Sequence, residues 1–130
     1  MAITGASGLI GTALTANLRA DGIRVVHLVR RPATGPDEIQ WRPGLDGLDP
    51  SALHGIEGVV HLAGAGIQDK RWTDEYKRTL LKSRVDSTRT LTEAIAQAGP
   101  DGPSVLISGS AVGYYGDTGE RTVDESAPAG

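Results

Sequence analysis

The sequence has 130 residues, a net charge of −3 and no cysteine, so its length suits one domain with one hydrophobic core, and disulfides, thiol nucleophiles and cysteine metal sites are excluded. With 18 glycines, three tyrosines, two tryptophans and no phenylalanine, the core must be built from Val, Ile, Leu and Ala, and the chain must turn tightly many times. Mild acidity without a block of like charge argues against a nucleic-acid or membrane-surface partner, and no apolar run approaches the roughly 20 residues of a membrane span.

In chain order, short apolar runs alternate with longer stretches of helical period, the pattern of βαβ units around a parallel sheet buried on both faces. Residues 2–4 close a first strand, and Ile10, Leu14 and Leu18 then share one face of a helix that Asp21-Gly22 terminates. Residues 23–29 form a second strand and residues 39–41 a weaker third. Asp49-Pro50 supplies an N-cap and first-turn pair for a short helix ending near Gly55. Residues 59–63 form the fourth strand. Thr73 caps a long helix with Asp74 and Glu75 in its first turn, Tyr76, Leu80, Leu91 and Ile95 on its buried side, and Gly99-Pro100 at its end. Residues 105–108 form the fifth strand, and from Gly116 onward the Gly, Asp, Pro and Ser content reads as loop. A first strand this short, and an end in "DESAPAG" without a further element, lead us to expect an incomplete copy of a longer domain.

Between the first strand and the first helix stands Thr4-Gly5-Ala6-Ser7-Gly8-Leu9-Ile10-Gly11, a T-G-x-x-G-x-x-G loop. In that setting Gly5 makes the turn, Gly8 admits a pyrophosphate, Gly11 lets the helix pack on the sheet, and free amides at the helix N-terminus face the anion. A glycine-rich turn with no ligand is the competing reading. A Walker-type loop is excluded, because no Gly-Lys-Ser/Thr follows. The second strand ends Leu28-Val29-Arg30-Arg31-Pro32, with no acidic residue before Asp37. A carboxylate at that tip suits ribose hydroxyls, whereas a guanidinium there suits a 2′-phosphate, so Arg30 and Arg31 predict preference for NADP(H), with NAD(H) as the second option. Simple solvation of both arginines is the alternative.

With these features in place, "VVHLAGAGI" after the fourth strand and "ISGSAVGYYG" after the fifth, the chain resembles the short-chain dehydrogenase/reductase superfamily. More closely, it is similar to the extended NAD(P)-dependent epimerase/dehydratase group, whose members with "SGLIG", "HLAG" and "SAVGYYG" it matches along its whole length. The resemblance implies a Rossmann-type α/β fold, a doubly wound parallel sheet in three layers, spanning residues 1–130 as the N-terminal part of a cofactor-binding domain and lacking the C-terminal strands and substrate region. It also implies that Leu62, Ala63, Gly64 and Ala65 pass beside the cofactor's riboses, that Ser108 and Gly109 line the cofactor, and that Ser110 hydrogen-bonds the substrate's reacting oxygen. Where the superfamily often has an asparagine, this chain has Arg84, a partner for an anionic substrate or cofactor phosphate if it is not a solvated helix charge.

The superfamily's Tyr-x-x-x-Lys pair does not occur in these residues, so the proton donor either lies elsewhere or has been replaced. Tyr114 and Tyr115 read as packing or substrate-wall residues, and His61 as a packed or cofactor-adjacent residue rather than a general base. His27 and His54 carry no metal-ligand spacing, and no metal site is expected. The implied activity is NADP(H)-dependent oxidoreduction or epimerisation of a small-molecule carbonyl or carbinol, with a nucleotide-sugar-like compound as one candidate. The competing class is a non-catalytic NADP(H) sensor or interaction module. A homodimer through the helix after the fourth strand is a family-based expectation, and a cytoplasmic location is the default.

Overall fold

The computed structural model describes residues 1–130, the side chain of Val112 excepted. Five parallel strands, β1 (Ala2–Thr4), β2 (Val26–Val29), β3 (Glu38–Gln40), β4 (Gly58–His61) and β5 (Val105–Ser108), lie in the order β3-β2-β1-β4-β5. The chain builds outward from β1 through β2 to β3, then returns to the other side of β1 for β4. The strand order therefore reverses between β1 and β4, and the crevice beyond their carboxyl ends is where such sheets bind ligands. Register is direct: Ala2 faces Val26 on one side and Val59 on the other.

Two helices, α1 (Leu9–Ala20) and α2 (Asp74–Ala98), cover opposite faces. Strand side chains alternate, so Ala2, Leu28 and Val59 meet Leu91, Ala94 and Ala98 of α2, joined by Trp41 and Leu53, while Ile3, Val25 and Val60 meet Leu14 and Leu18 of α1. The result is the expected three-layer Rossmann-type sheet. Leu53 and Leu91 are fully buried, each contributing about 2–3 kcal/mol by removal from water. The single-turn helix at Pro50–Leu53 starts as its sequence predicts, with the Asp49 carboxylate accepting from Ser51 N at 2.9 Å. Thr73 Oγ1 likewise accepts from Tyr76 N at 3.1 Å to open α2, and Gly99 closes it at φ +62°.

Three strand boundaries and one buried face differ from the sequence expectation. β2 begins at Val26, not Ile23, because Ile23 N still donates to Leu18 O at the end of α1, so the backbone is not free to extend until the Gly22 turn is complete. β3 falls at Glu38–Gln40, one residue early, with Trp41 already in the core. β4 ends at His61, because the amide of Ala63 turns to a side chain described below, which Leu62 N shares with its ladder acceptor Thr4 O. Ile10 is 67% exposed and not on the buried face of α1. Gly11 takes the inner position instead: a Cβ there would sit 2.7 Å from Ala6 Cα, so the first turn meets the loop backbone to backbone and the larger side chain turns outward.

Candidate functional site

The turn from β1 into α1 is fixed by glycine stereochemistry. Gly5 has φ +67°, and a Cβ on it would lie 2.7 Å from Leu62 O, so both conformation and space require glycine where β1 and β4 end side by side. Gly8 is different: its backbone is extended, and a Cβ would approach only Gly5 O, at 3.3 Å, leaving the outer side open. Gly8 is also the N-cap of α1 and has no side chain to cap with. Among the described residues the N–H groups of Leu9, Ile10 and Gly11 find no acceptor, and the first turn holds no acid. Unpaired amides at the positive end of a 12-residue helix, open on the outside and free of competing carboxylates, fit a diphosphate. Ala6 packs against Ile3 and Val60 beneath the loop, while Ser7 is exposed.

Beneath this loop lies a buried polar hub that was not predicted. Thr4 Oγ1 accepts from Leu62 N at 3.0 Å and from Ala63 N at 3.1 Å, and lies 2.7 Å from His61 Nδ1. Two accepted bonds use both lone pairs of the hydroxyl, so its proton goes to Nδ1 and the imidazole carries its own proton on Nε2. Nε2–H in turn faces Ser87 Oγ at 3.2 Å and Thr88 Oγ1 at 3.3 Å, while Ser87 Oγ donates to Arg84 O at 3.1 Å. Trp41 stands edge-on to the ring, with centroids 6.1 Å apart. Burial holds the His61 pKa below its usual 6.5, as the bonding pattern requires, since an added proton on Nδ1 would face a hydroxyl with no lone pair left. His61 is thus a packed, neutral residue that ties β1, β4 and α2 together. His27 is also held below 6.5, first by burial and then by Arg19, and its Nε2 lies 3.2 Å from Thr15 Oγ1.

At the tip of β2 the two arginines part company. Arg30 is exposed and has no hydrogen bond or ion pair among the described residues. Arg31 donates through Nη1 to Glu38 Oε2 at 2.8 Å and through Nη2 to Glu38 Oε1 at 2.6 Å, with a further Nη1 bond to Pro32 O at 3.0 Å. Thr34 completes the clasp, N and Oγ1 both donating to Glu38 Oε2. Arg31 first, and then Thr34, pull the Glu38 pKa down to about 2.

The stretch after β4 is anchored by the first turns of α2. Ser83 Oγ accepts from Ala65 N at 3.1 Å, Arg84 Nη2 donates to Ala65 O at 3.2 Å, and the Tyr76 hydroxyl donates to Gly66 O. Arg84 lies flat against Gly64, where a Cβ would come within 3.3 Å of its Cζ, and no carboxylate pairs with it among the described residues. Tyr76 is committed to this anchor. Across the crevice, Gly109 N donates to His61 O at 3.0 Å as β5 ends, and Ser108 and Ser110 are exposed beside it, with no side-chain hydrogen bond from Ser110 among the described residues. Tyr114 and Tyr115 stack edge to face at 5.2 Å in a single helical turn, Val112–Tyr115. The glycine loop, residues 62–65, Arg84 and the β5 tip thus gather at one end of the sheet, and Arg30 stands at the neighbouring β2 tip. A cavity of about 450 Å³ between the 44–48 turn and α2 is lined by none of these residues.

Such a strand order, with an open glycine turn at its reversal point, defines a nucleotide-binding α/β domain. The sequence matches the NAD dependent epimerase/dehydratase family over residues 1–130, and the chain belongs to that family. An epimerase family protein of Mycobacterium bovis is 45% identical over 130 residues, covering all of this chain and 42% of the relative. The crystal structure of human epimerase family protein SDR39U1 with NADPH superposes with a TM-score of 0.82 at 32% identity, over 98% of this chain and 42% of that one. MoeE5 in complex with UDP-glucuronic acid and NAD follows at a TM-score of 0.74 and 31% identity, again over 98% and 42%. The chain therefore spans about two fifths of these relatives' length.

Proposed function

We propose that this chain carries the cofactor-binding part of an NADP(H)-dependent oxidoreductase or epimerase of the extended short-chain type. The observation that carries the reading is the set of unpaired amides at Leu9, Ile10 and Gly11, set beside a β1–β4 junction that accommodates only glycine at position 5. When bound, a nicotinamide cofactor supplies hydride transfer to or from a carbon that bears oxygen. The residues here bind and orient. The amides of α1 hold the diphosphate, Gly8 leaves room for its approach, and Arg30 recognises a 2′-phosphate by charge-assisted hydrogen bonds. Residues 62–65 and Ser108–Gly109 form the floor beside the riboses, Arg84 fixes the backbone at Gly64 and Ala65, and the Ser110 hydroxyl donates to the oxygen of a carbonyl or carbinol substrate.

The human relative bound to NADPH supports the phosphorylated cofactor, and the MoeE5 complex with NAD keeps the unphosphorylated one as the alternative. A second reading, a non-catalytic NADP(H) sensor, is favoured by one observation: the buried tyrosine, Tyr76, donates to Gly66 O and so serves the loop anchor. Calorimetric titration of the protein with NADPH, NADH and FAD tests cofactor binding, and NADPH absorbance loss over a carbonyl panel tests turnover. Binding of NADPH with steady turnover supports the enzyme. Binding without turnover supports the sensor, and no pyridine-nucleotide binding refutes both. No helix is long and apolar enough to cross a membrane among the described residues.

A further inference from the structure

Arg30 and Arg31 are adjacent in sequence, yet one is free and the other is held at both Nη atoms by a carboxylate from β3. That carboxylate is over-determined: besides the two guanidinium bonds, Thr34 donates to it twice, at 2.8 and 2.9 Å. Such a fourfold clasp keeps Glu38 ionised throughout the working pH range, with its side chain only 18% exposed. Glu38 is level with His27 in the β2–β3 register and reaches Arg31 from beside the strand, so Arg30, Arg31 and Glu38 together carry two positive charges and one fixed negative charge, a net of one. We infer that Glu38 is a specificity-determining residue for the dinucleotide: by cancelling Arg31 it leaves Arg30 as the one effective cation for a 2′-phosphate, so that selectivity between NADPH and NADH follows the charge count at this corner. Arg31 is then a positioning residue that neutralises Glu38 and pins the 30–37 loop, and it does not bind the phosphate itself. This inference rests on the dinucleotide reading above and assigns its selectivity.

The physical basis is that the two cofactors differ only by a 2′-phosphate, an anion of about −1.5 to −2 at neutral pH, comparable with other phosphate monoesters. Changing the fixed charge nearby by one unit acts on NADPH and leaves NADH almost untouched. At partly screened separations across a protein surface, one unit is worth roughly three- to tenfold in affinity.

The test is a double-mutant cycle on the purified protein, with Kd for NADPH and NADH measured by calorimetry at fixed ionic strength. Glu38→Gln keeps the shape and one acceptor oxygen, enough for Thr34 and Arg31 Nη1, while removing the charge and the Arg31 Nη2 bond, and the NADPH-over-NADH preference is expected to rise roughly three- to tenfold. Arg31→Ala leaves Glu38 bare, and the preference is expected to fall by a similar factor. The double variant restores the original count, and the preference is expected to return to within about twofold of the parent value. If Arg31 grips the phosphate directly, the double variant stays as low as Arg31→Ala. If the clasp matters only as loop structure, Glu38→Gln fails to raise the preference. Either result overturns the inference. NADH affinity, expected to be constant across the set, reports an intact site, and Glu38→Gln alone decides the matter should Arg31→Ala fail to fold. Failure of the underlying reading looks different, since the parent protein then binds neither nucleotide.

Discussion

Replacing Thr4 with Val tests whether the polar hub holds the carboxyl edge of the sheet. Valine keeps the branched shape at a position with no solvent exposure and removes only the hydroxyl. Three bonds go with it, from Leu62 N, from Ala63 N and to His61 Nδ1. Leu62 N retains a contact with Thr4 O at 3.3 Å, so it is not orphaned. Ala63 N and His61 Nδ1 are left without partners, and each unsatisfied buried group costs about 1–3 kcal/mol. Ala63 is half-buried, which places its share at the low end, while the fully enclosed imidazole lies toward the high end. The sum is about 2–4 kcal/mol, less a few tenths for the added methyl group, against a total stability of about 5–15 kcal/mol for an ordinary domain. Equilibrium unfolding in urea at pH 7.5 measures it as a drop in midpoint at constant slope. Thr4→Ser keeps the hydroxyl and is expected to recover most of the loss, giving up only the buried methyl. A cost below about 1 kcal/mol for Thr4→Val, or equal costs for Val and Ser, would refute the hub.

Gly5→Ala and Gly22→Ala form a matched pair, at φ +67° and +75°, with Leu62 O in the way at the first and nothing within 4 Å at the second. Gly22→Ala is expected to cost about 1–2 kcal/mol from backbone strain alone, and Gly5→Ala clearly more, with loss of nucleotide binding; equal costs in urea unfolding would remove the steric argument. Arg30→Asp is expected to weaken NADPH roughly 10- to 100-fold and NADH only a few-fold, and equal weakening of the two would dispose of its role at the 2′-phosphate. Stability is expected to depend on pH in two windows. Both His27 and His61 have folded pKa values below 6.5, so the unfolded chain binds protons first; stability is complete above about 6.5 and falls as pH drops through the folded values. The slope is at most about 1.4 kcal/mol per pH unit for His61 and less for the partly exposed His27. Glu38, Asp46, Asp49 and Asp124, all lowered, add a second loss starting only below about 4.5. Urea midpoints that stay flat between pH 7.5 and 5 would contradict the histidine part.

What was legible in the sequence is what local stereochemistry decides. The glycine loop, the Asp49 and Thr73 caps and the Gly99 stop each depend on a residue and its next few neighbours, and each stands where expected. The strand pattern was legible as far as two-sided burial makes a strand continuously apolar, which is why β1 and β4 were found. It failed at the start of β2, where Ile23 is held by α1, and at the end of β4, where Leu62 and Ala63 turn toward Thr4. The hub itself was invisible for a different reason: Thr4, His61 and Ser87 are separated by 57 and 26 residues and meet only because β1 and β4 are neighbours under α2. A threonine as the last residue of a buried strand, facing a histidine as the last residue of another, was the signal available. From its neighbours alone, Arg31 reads as a cofactor ligand. Its partner Glu38 lies seven positions on, and only the pairing of β3 with β2 settles that the two meet.

These two kinds of feature divide the work at the site. The hub consists of hydroxyls, amides and an imidazole kept neutral by burial, so it fixes where Gly5, Leu62 and Ala63 stand while adding no net charge. Charge enters from the open amides of α1 and from the β2 tip, which sit at the surface and contribute little to packing. Variants in the hub should therefore change unfolding free energy and weaken both nucleotides alike, whereas variants at Arg30, Arg31 and Glu38 should change the ratio of the two nucleotides. Thr4→Ser and Glu38→Gln are the least disruptive members of each class, and measuring unfolding and both affinities on that pair separates geometry from charge. A shift in the nucleotide ratio from Thr4→Ser would mean that the hub reaches the phosphate electrostatically, which its neutral bonding pattern forbids.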